Sequence, residues 1–466
     1  MPRQGAIVAV LAIAGLASSF MFTLVVPIQA KLPELLNASR EDTAWVVTAT
    51  LLAAAVSTPI AGRLGDMYGK RRIVLILLGL LIVGSVIAAL SPGIGGIIVG
   101  RALQGAVTGV VPLGISIMRD VLHEDRVDAA IALMSATLGV GGAVGMPVSA
   151  IITETSDWHV LFWMAAGLGV VVFALVALVV PASVLRTAGR FDFAGAIGLA
   201  IGLTGALLAV SRGNEWGWTS PATLALGLGG LAVLLVWGWF ELRIREPLLD
   251  LRVAARPAVL LTNLASVAMG FSLFASNVSY PQMLELPASV GGFGLTLVQA
   301  SFIVMPAGLV MMVLSPFSGR LARTIGPRLL LIMGASALIL AYGYSLLWAS
   351  EVWHLLVANL LIGVGIGFGY AGMPMLIMRS VPQHETGASN GLNALFRSLG
   401  TSIAAAVVGA VLAALTVDLG GTPVPAPEAF HLSFALGLGA AVIALGVALF
   451  IPQRRDPHEA RPSMPH

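Results

Sequence analysis

The chain of 466 residues contains no cysteine. Disulfides, thiolate nucleophiles and Cys-based metal sites are therefore excluded together. Lysine is scarce, two residues against 23 arginines, and charged residues of both signs make up only 10%. An ordinary soluble domain carries about 25%. So few charges cannot clothe a soluble protein of this length, and most of the surrounding solvent must be lipid. A Gly-rich Lys-Ser/Thr phosphate loop is missing, which argues against ATP-driven pumping. The seven histidines (His123, His159, His354, His384, His431, His458, His466) scatter mostly over loops and tail. They form no metal spacing and no nucleophile–base pair, so a lipid-modifying enzyme finds little chemistry here. No metal and no cofactor is expected.

What fills the chain is apolar: 58% hydrophobic residues and 54 glycines, a composition that lets membrane helices approach closely. Runs long enough to cross a bilayer, about 20 residues each, recur fourteen times. Their approximate limits are 5–29, 43–62, 73–91, 94–117, 130–152, 160–180, 192–210, 222–240, 258–280, 298–318, 329–348, 353–378, 387–415 and 433–451. The first exceeds the apolar region of a signal peptide and reads as a retained span.

Basic residues set the orientation. With the N-terminus inside, 21 of the 25 fall on the cytoplasmic side, Arg397 counted among them; Lys31, Arg40 and Arg212 fall outside, and Arg101 lies within a span. An odd number of crossings would scramble this asymmetry, so an even number with both termini cytoplasmic is expected. The formal charge of +3 then needs no nucleic-acid partner. Trp45, Trp158, Trp216, Trp218, Trp348 and Trp353 sit at outer ends and Trp237 and Trp239 at an inner end, as headgroup-level anchors do.

The sequence also repeats itself. Gly62-Arg-Leu-Gly-Asp-Met-Tyr-Gly-Lys-Arg-Arg72 has a degraded copy in Gly319-Arg-Leu-Ala-Arg-Thr-Ile-Gly-Pro-Arg328, displaced by 257 residues. Arg119 and Arg379 lie 260 apart, and Leu138-Gly139 and Leu399-Gly400 lie 261 apart. Near-constant offsets imply a parallel repeat of six spans, with two more inserted between the halves. The expected organisation is a first bundle over 1–180, an insert with its cytoplasmic linker over 181–257, a second bundle over 258–451, and a disordered polar tail over 452–466.

These residues carry a family resemblance. The 62–72 segment resembles the signature loop between helices 2 and 3 of the major facilitator superfamily. Arg101-Ala-Leu-Gln-Gly105, Asp157-Trp158 with Phe162, the linker Glu241 to Leu251, Tyr280-Pro-Gln282 and Gly387-Ala-Ser-Asn-Gly391 follow in the order of the fourteen-span drug:proton antiporters. The resemblance covers essentially the whole chain. It implies an all-α membrane protein with two six-helix bundles and two inserted helices, exporting small amphiphilic drugs against protons by alternating access. Two departures stand out. The first span, through Phe22-Thr-Leu-Val-Val-Pro27 to Lys31-Leu-Pro33, lacks the acid common in that family. The helix 5 motif keeps Gly139, Gly141, Gly142, Gly145 and Pro147, but Met146 precedes the proline.

Candidate roles follow. Gly62 and Gly69 permit a tight turn and close approach. Asp66 suits a helix N-terminus, and the resemblance places it against the start of span 13 or Arg119 as a conformational latch, together with Arg71. In the copy, Gly319 matches Gly62 while Arg323 replaces Asp66, so the two gates differ in charge. Arg101 needs a partner inside the membrane; the resemblance makes it a proton-relay residue, with Glu154 and Asp42 among the candidate acids. Gly139, Gly142, Gly145 and Pro147 should thin or kink span 5. Cavity candidates are Gln29, Gln104, Phe274, Asn277, Tyr280, Tyr370, Asn393 and Phe396, with Met21 and Met373 beside them. Because Arg101 is the deep ionisable group, neutral, zwitterionic or anionic substrates are favoured over strong cations. The expected setting is a bacterial inner (plasma) membrane, with a monomer, a small amphiphile, protons and lipid as partners. A facilitator or importer of a metabolite with the same fold, without proton exchange, is the alternative.

Overall fold

The computed structural model describes residues 4–25, 28, 32–182, 187 and 189–452. Lipid offers the backbone no hydrogen bonds, so each apolar run closes its own as a helix. Among the described residues, fourteen helices are long and apolar enough to span. Spans 1 to 6 are Gln4–Thr23, Glu41–Tyr68, Lys70–Leu90, Ile94–Val121, Glu124–Thr155 and His159–Val179. Spans 7 and 8 are Phe193–Trp216 and Pro221–Glu241. Spans 9 to 14 are Pro257–Glu285, Leu297–Thr324, Pro327–Leu347, Val352–Ser380, Gln383–Ala414 and Pro427–Phe450. The polar tail beyond Pro452 lies outside the described residues.

Two large apolar cores form. One is built mainly from spans 1 to 6, around Leu11, Leu78, Val107 and Phe162. The other comes mainly from spans 9 to 14, around Met269, Leu338, Ile366 and Phe434. Span 2 packs on span 13 and span 5 on span 10, and these contacts hold the halves together. Span 8 lies on span 7, where Gly202, Gly205 and Gly230 bring the backbones together. Its opposite face, with Leu228, Leu231, Leu235 and Val236, is exposed to the lipid. Span 7 joins the body through Arg212, whose Nη1 and Nη2 donate to the Glu41 carbonyl at 3.1 and 3.2 Å. The Arg212 guanidinium also pairs with Glu215 and stacks on Trp45 at 4.6 Å.

The signature segment departs from expectation. Span 2 remains helical through Tyr68, and only Gly69 (φ 104°) turns the chain into span 3. The copy does the same, helical to Thr324 and turning at Gly326 (φ 86°). Gly62 and Gly319 are therefore mid-helix contact points and not turn residues. Pro147 likewise sits inside an unbroken helix, Glu124–Thr155. One small β-hairpin joins spans 13 and 14: Thr416–Leu419 pairs with Thr422–Pro425 through Gly420-Gly421, both at positive φ.

Candidate functional site

The seam between the two bundles closes at the cytoplasmic ends of spans 2 and 13. Asp66, 1% exposed, accepts hydrogen bonds from the backbone N–H groups of Gly387 (3.1 Å) and Ala388 (2.8 Å). Those are unpaired first-turn donors of span 13, where the helix dipole favours an anion. Lys70, one turn on, lies 3.8 Å from Asp66, donates to Asp120 at 2.7 Å and donates to the Thr386 hydroxyl at 3.1 Å. Gly62 makes this approach possible, because a Cβ there would stand 2.4 Å from the Gly387 carbonyl oxygen. The segment after span 6 joins in: Thr187 N–H donates to the Asp66 carbonyl (2.8 Å) and its hydroxyl to that of His384 (2.9 Å). Asp66 and Lys70 thus tie one half to the other at this seam.

The related seam, span 10 against span 5, uses opposite chemistry. A Cβ on Gly319 would meet Ala129 Cα at 2.4 Å. Arg323, in the Asp66 position, donates to the Asp125 carbonyl at 2.9 Å. Arg379 pairs with Asp128 at 2.8 Å, while its repeat mate Arg119 donates to Met378 Sδ at 3.5 Å. Asp66 meets donors and Arg323 meets an acceptor, so the copies differ in charge while sharing a geometry. Arg71 donates to the Ala177 carbonyl at the end of span 6. Arg328, its repeat mate, does likewise at the end of span 14, to Ala448 (3.2 Å) and Leu449. Each arginine sits where a helix C-terminus favours a cation.

Span 5 is shared between neighbours. Gly141 and Gly145 seat span 1, where a Cβ would stand 2.5 Å from Ser19 Cβ and 2.0 Å from Thr23 Oγ1. Gly139 faces span 10: a Cβ on Gly308 would fall 2.3 Å from the Gly139 carbonyl oxygen. Gly142 has ordinary space around it, with Thr23 Cγ2 at 3.6 Å.

Arg101 is 2% exposed and lies within the first bundle. Its Nη1 donates to the Met21 carbonyl and to Gln104 Oε1, both at 2.9 Å, and Gln104 Nε2 donates to Ser85 Oγ at 2.8 Å. Gln104 is thereby committed to Arg101, so its reading as a cavity residue is corrected. Glu154 and Asp42 are exposed at outer helix ends. Asp42 is occupied with the Ser39 cap (2.7 Å). The structure does not bring Arg101, Glu154 and Asp42 together.

The cavity candidates divide. Tyr280 is corrected: it is buried in the second bundle, bonded to Ser345 (2.8 Å) and edge-on to Phe434. Phe396 packs towards spans 2 and 7. Phe274 and Asn277 are half-buried on span 9, and Gln29 lies outside the described residues. Asn393 Nδ2 donates to Asn263 Oδ1 (2.9 Å) and Ser266 Oγ (2.7 Å). Tyr370 carries the guanidinium of Arg397 over its ring at 4.9 Å. Its sequence neighbours place Arg397 with the cytoplasmic loops. It lies instead eleven residues beyond Thr386, about 16 Å along span 13. Counting residues from Gly387 would have found it.

The profile of the Major Facilitator Superfamily matches the chain over residues 11–189 and 181–405. The chain belongs to that superfamily. Multidrug resistance protein Stp of Mycobacterium tuberculosis (strain CDC 1551 / Oshkosh) is 27% identical over 425 residues, covering 89% of this chain and 78% of Stp. Cephamycin export protein CmcT of Amycolatopsis lactamdurans is 30% identical over 425 residues, covering 88% and 84%. Among solved structures, the human organic anion transporter MFSD10 superposes with a TM-score of 0.65 at 15% identity, covering 95% of this chain and 100% of that one. The proton:xylose symporter XylE gives 0.64 at 12% identity, covering 96% of each. At such identities the likeness is one of fold. As a major facilitator, this fourteen-span chain is a secondary transporter and a multi-pass protein of the cell membrane.

Proposed function

We propose that the protein exports small amphiphilic compounds, including drugs, from a bacterial cytoplasm in exchange for protons. The halves 1–180 and 258–451 rock about a shared middle, with 181–257 between them and the monomer as the working unit. The observation that carries this reading is the Asp66 contact with the start of span 13. It seals the cytoplasmic side by bonds that cross from one half to the other, and those bonds must break for the site to open inward. Export is supported by the relatives named for multidrug resistance and for cephamycin export.

A second reading is favoured by one observation. Among the described residues no carboxylate contacts Arg101, and a facilitator or importer of a metabolite needs no proton relay. One experiment separates the two. Purified protein in liposomes receives an imposed pH gradient and a panel of labelled amphiphiles. Proton counterflow coupled to uptake supports exchange. Flux that ignores the gradient refutes it in favour of the facilitator.

A further inference from the structure

Arg101 and Arg397 are the two cations lying more than a turn and a half from either end of a described span. A charge at that depth costs several kcal/mol unless a partner meets it, and such residues mark pathways. Arg101 is met by a carbonyl and an amide within its own bundle. Arg397 has, among the described residues, no hydrogen bond and no carboxylate; only the Tyr370 ring covers one face. A guanidinium does not escape by losing its proton. The described Asp and Glu residues all lie at span ends or in loops, so the described residues hold no counter-ion at this level.

The surroundings point to what completes the pair. Arg397 borders a narrow crevice between the halves, with Pro112 and Ser135 from spans 4 and 5, and Pro374, Asn390 and Asn393 from spans 12 and 13. Ser135 Oγ, Asn390 Oδ1 and Asn393 Oδ1 are buried there without hydrogen-bond partners. The unmet Ser135 hydroxyl beside an unpaired cation describes an unfilled polar site, while the two amide oxygens can accept only from a donor such as the guanidinium itself. Val111, Ile115 and Leu138 supply apolar wall to the same crevice. The crevice has room for about one water.

We propose that Arg397 binds the anionic group, a carboxylate or sulfonate, of an amphiphilic substrate held between the two bundles. The fork of N–H donors matches two oxygens of such a group, the Ser135 hydroxyl adds a third donor, and the apolar wall takes the hydrocarbon. This rests on the export reading and adds the charge of the cargo. The anchor is Arg397, because Arg101 lies inside the first bundle with its Nη1 already given to the Met21 carbonyl and Gln104, whereas Arg397 borders the crevice between the halves.

The test uses two dyes with the same rings: 8-anilinonaphthalene-1-sulfonate, an anion, and N-phenyl-1-naphthylamine, which is neutral. Flux of each is measured in liposomes with the whole protein, Arg397→Gln and Arg397→Lys. The expected result is sulfonate flux reduced about tenfold or more in Arg397→Gln, as for loss of a charged hydrogen bond, with neutral-dye flux kept and Arg397→Lys intermediate. Equal treatment of both dyes by the unaltered protein and Arg397→Gln overturns the anion inference and leaves export standing. No flux of either dye by the unaltered protein overturns both. Should Arg397→Gln misfold, Ser135→Cys decides instead, since bound sulfonate should slow maleimide labelling of that thiol. Absence of protection overturns the proposal.

Discussion

Replacing Asp66 with Asn tests the latch with almost no change in shape. The carboxylate holds two N–H groups, at 3.1 and 2.8 Å, at the positive end of span 13, with Lys70 at 3.8 Å. An amide keeps one acceptor and turns its own NH2 towards the second donor. Charged hydrogen bonds are worth about 1.5–3 kcal/mol each, and an anion at a helix N-terminus contributes up to about 2 kcal/mol when partly buried. Asn recovers part of this and Lys70 keeps Asp120, so the closed latch should weaken by about 2 kcal/mol, a factor of roughly 30 in the closed-to-open ratio. Because the chain has no native cysteine, Ser135→Cys provides a single reporter behind the latch. Its labelling by an impermeant maleimide from the cytoplasmic side should be slow in the parent and some tens of times faster with Asp66→Asn. Unchanged labelling together with unchanged flux would show that Asp66 does not hold the halves together.

Gly62→Ala and Gly319→Ala should each abolish or severely slow transport, because both add a carbon 2.4 Å from rigid backbone atoms across a seam; flux and detergent-extracted yield measure this. Gly142→Ala, with its nearest neighbour at 3.6 Å, should transport normally, and a dead Gly142→Ala would contradict the seam geometry. Arg101→Met removes a buried cation while keeping volume, so thermal stability should change by no more than about 2 kcal/mol; loss of gradient-driven flux with gradient-free exchange retained would assign the guanidinium to coupling. Arg212→Ala should lower the melting temperature through loss of its ties to Glu41, Glu215 and Trp45, and an unchanged melting curve would show that span 7 is held without Arg212.

The signature segment shows how far pattern reading reached. Its glycines, acid and repeat mate stand out along the chain, and the helix-N-terminus preference of Asp66 follows from charge alone. That Gly62 is a contact within a helix could not be seen, because glycine serves turns and close approaches equally well. Gln104 and Tyr280 differ from expectation for a related reason. A polar side chain on a span looks the same in sequence whether it faces a central path or a neighbour in its own bundle, and the angular placement of each helix is set by partners far along the chain.

The sequence alone determined the solvent, the number of crossings, their sidedness and the two-fold repeat. Those rest on local composition, length and charge, each readable within about 20 residues. Tertiary structure decided which charges are met. Arg101 finds Met21 eighty residues away, Asp66 finds Gly387 across the two halves, and Arg397 lies mid-membrane with the Tyr370 ring over one face. Such pairings depend on where distant backbones come to rest, and that information appears only once all the helices are packed.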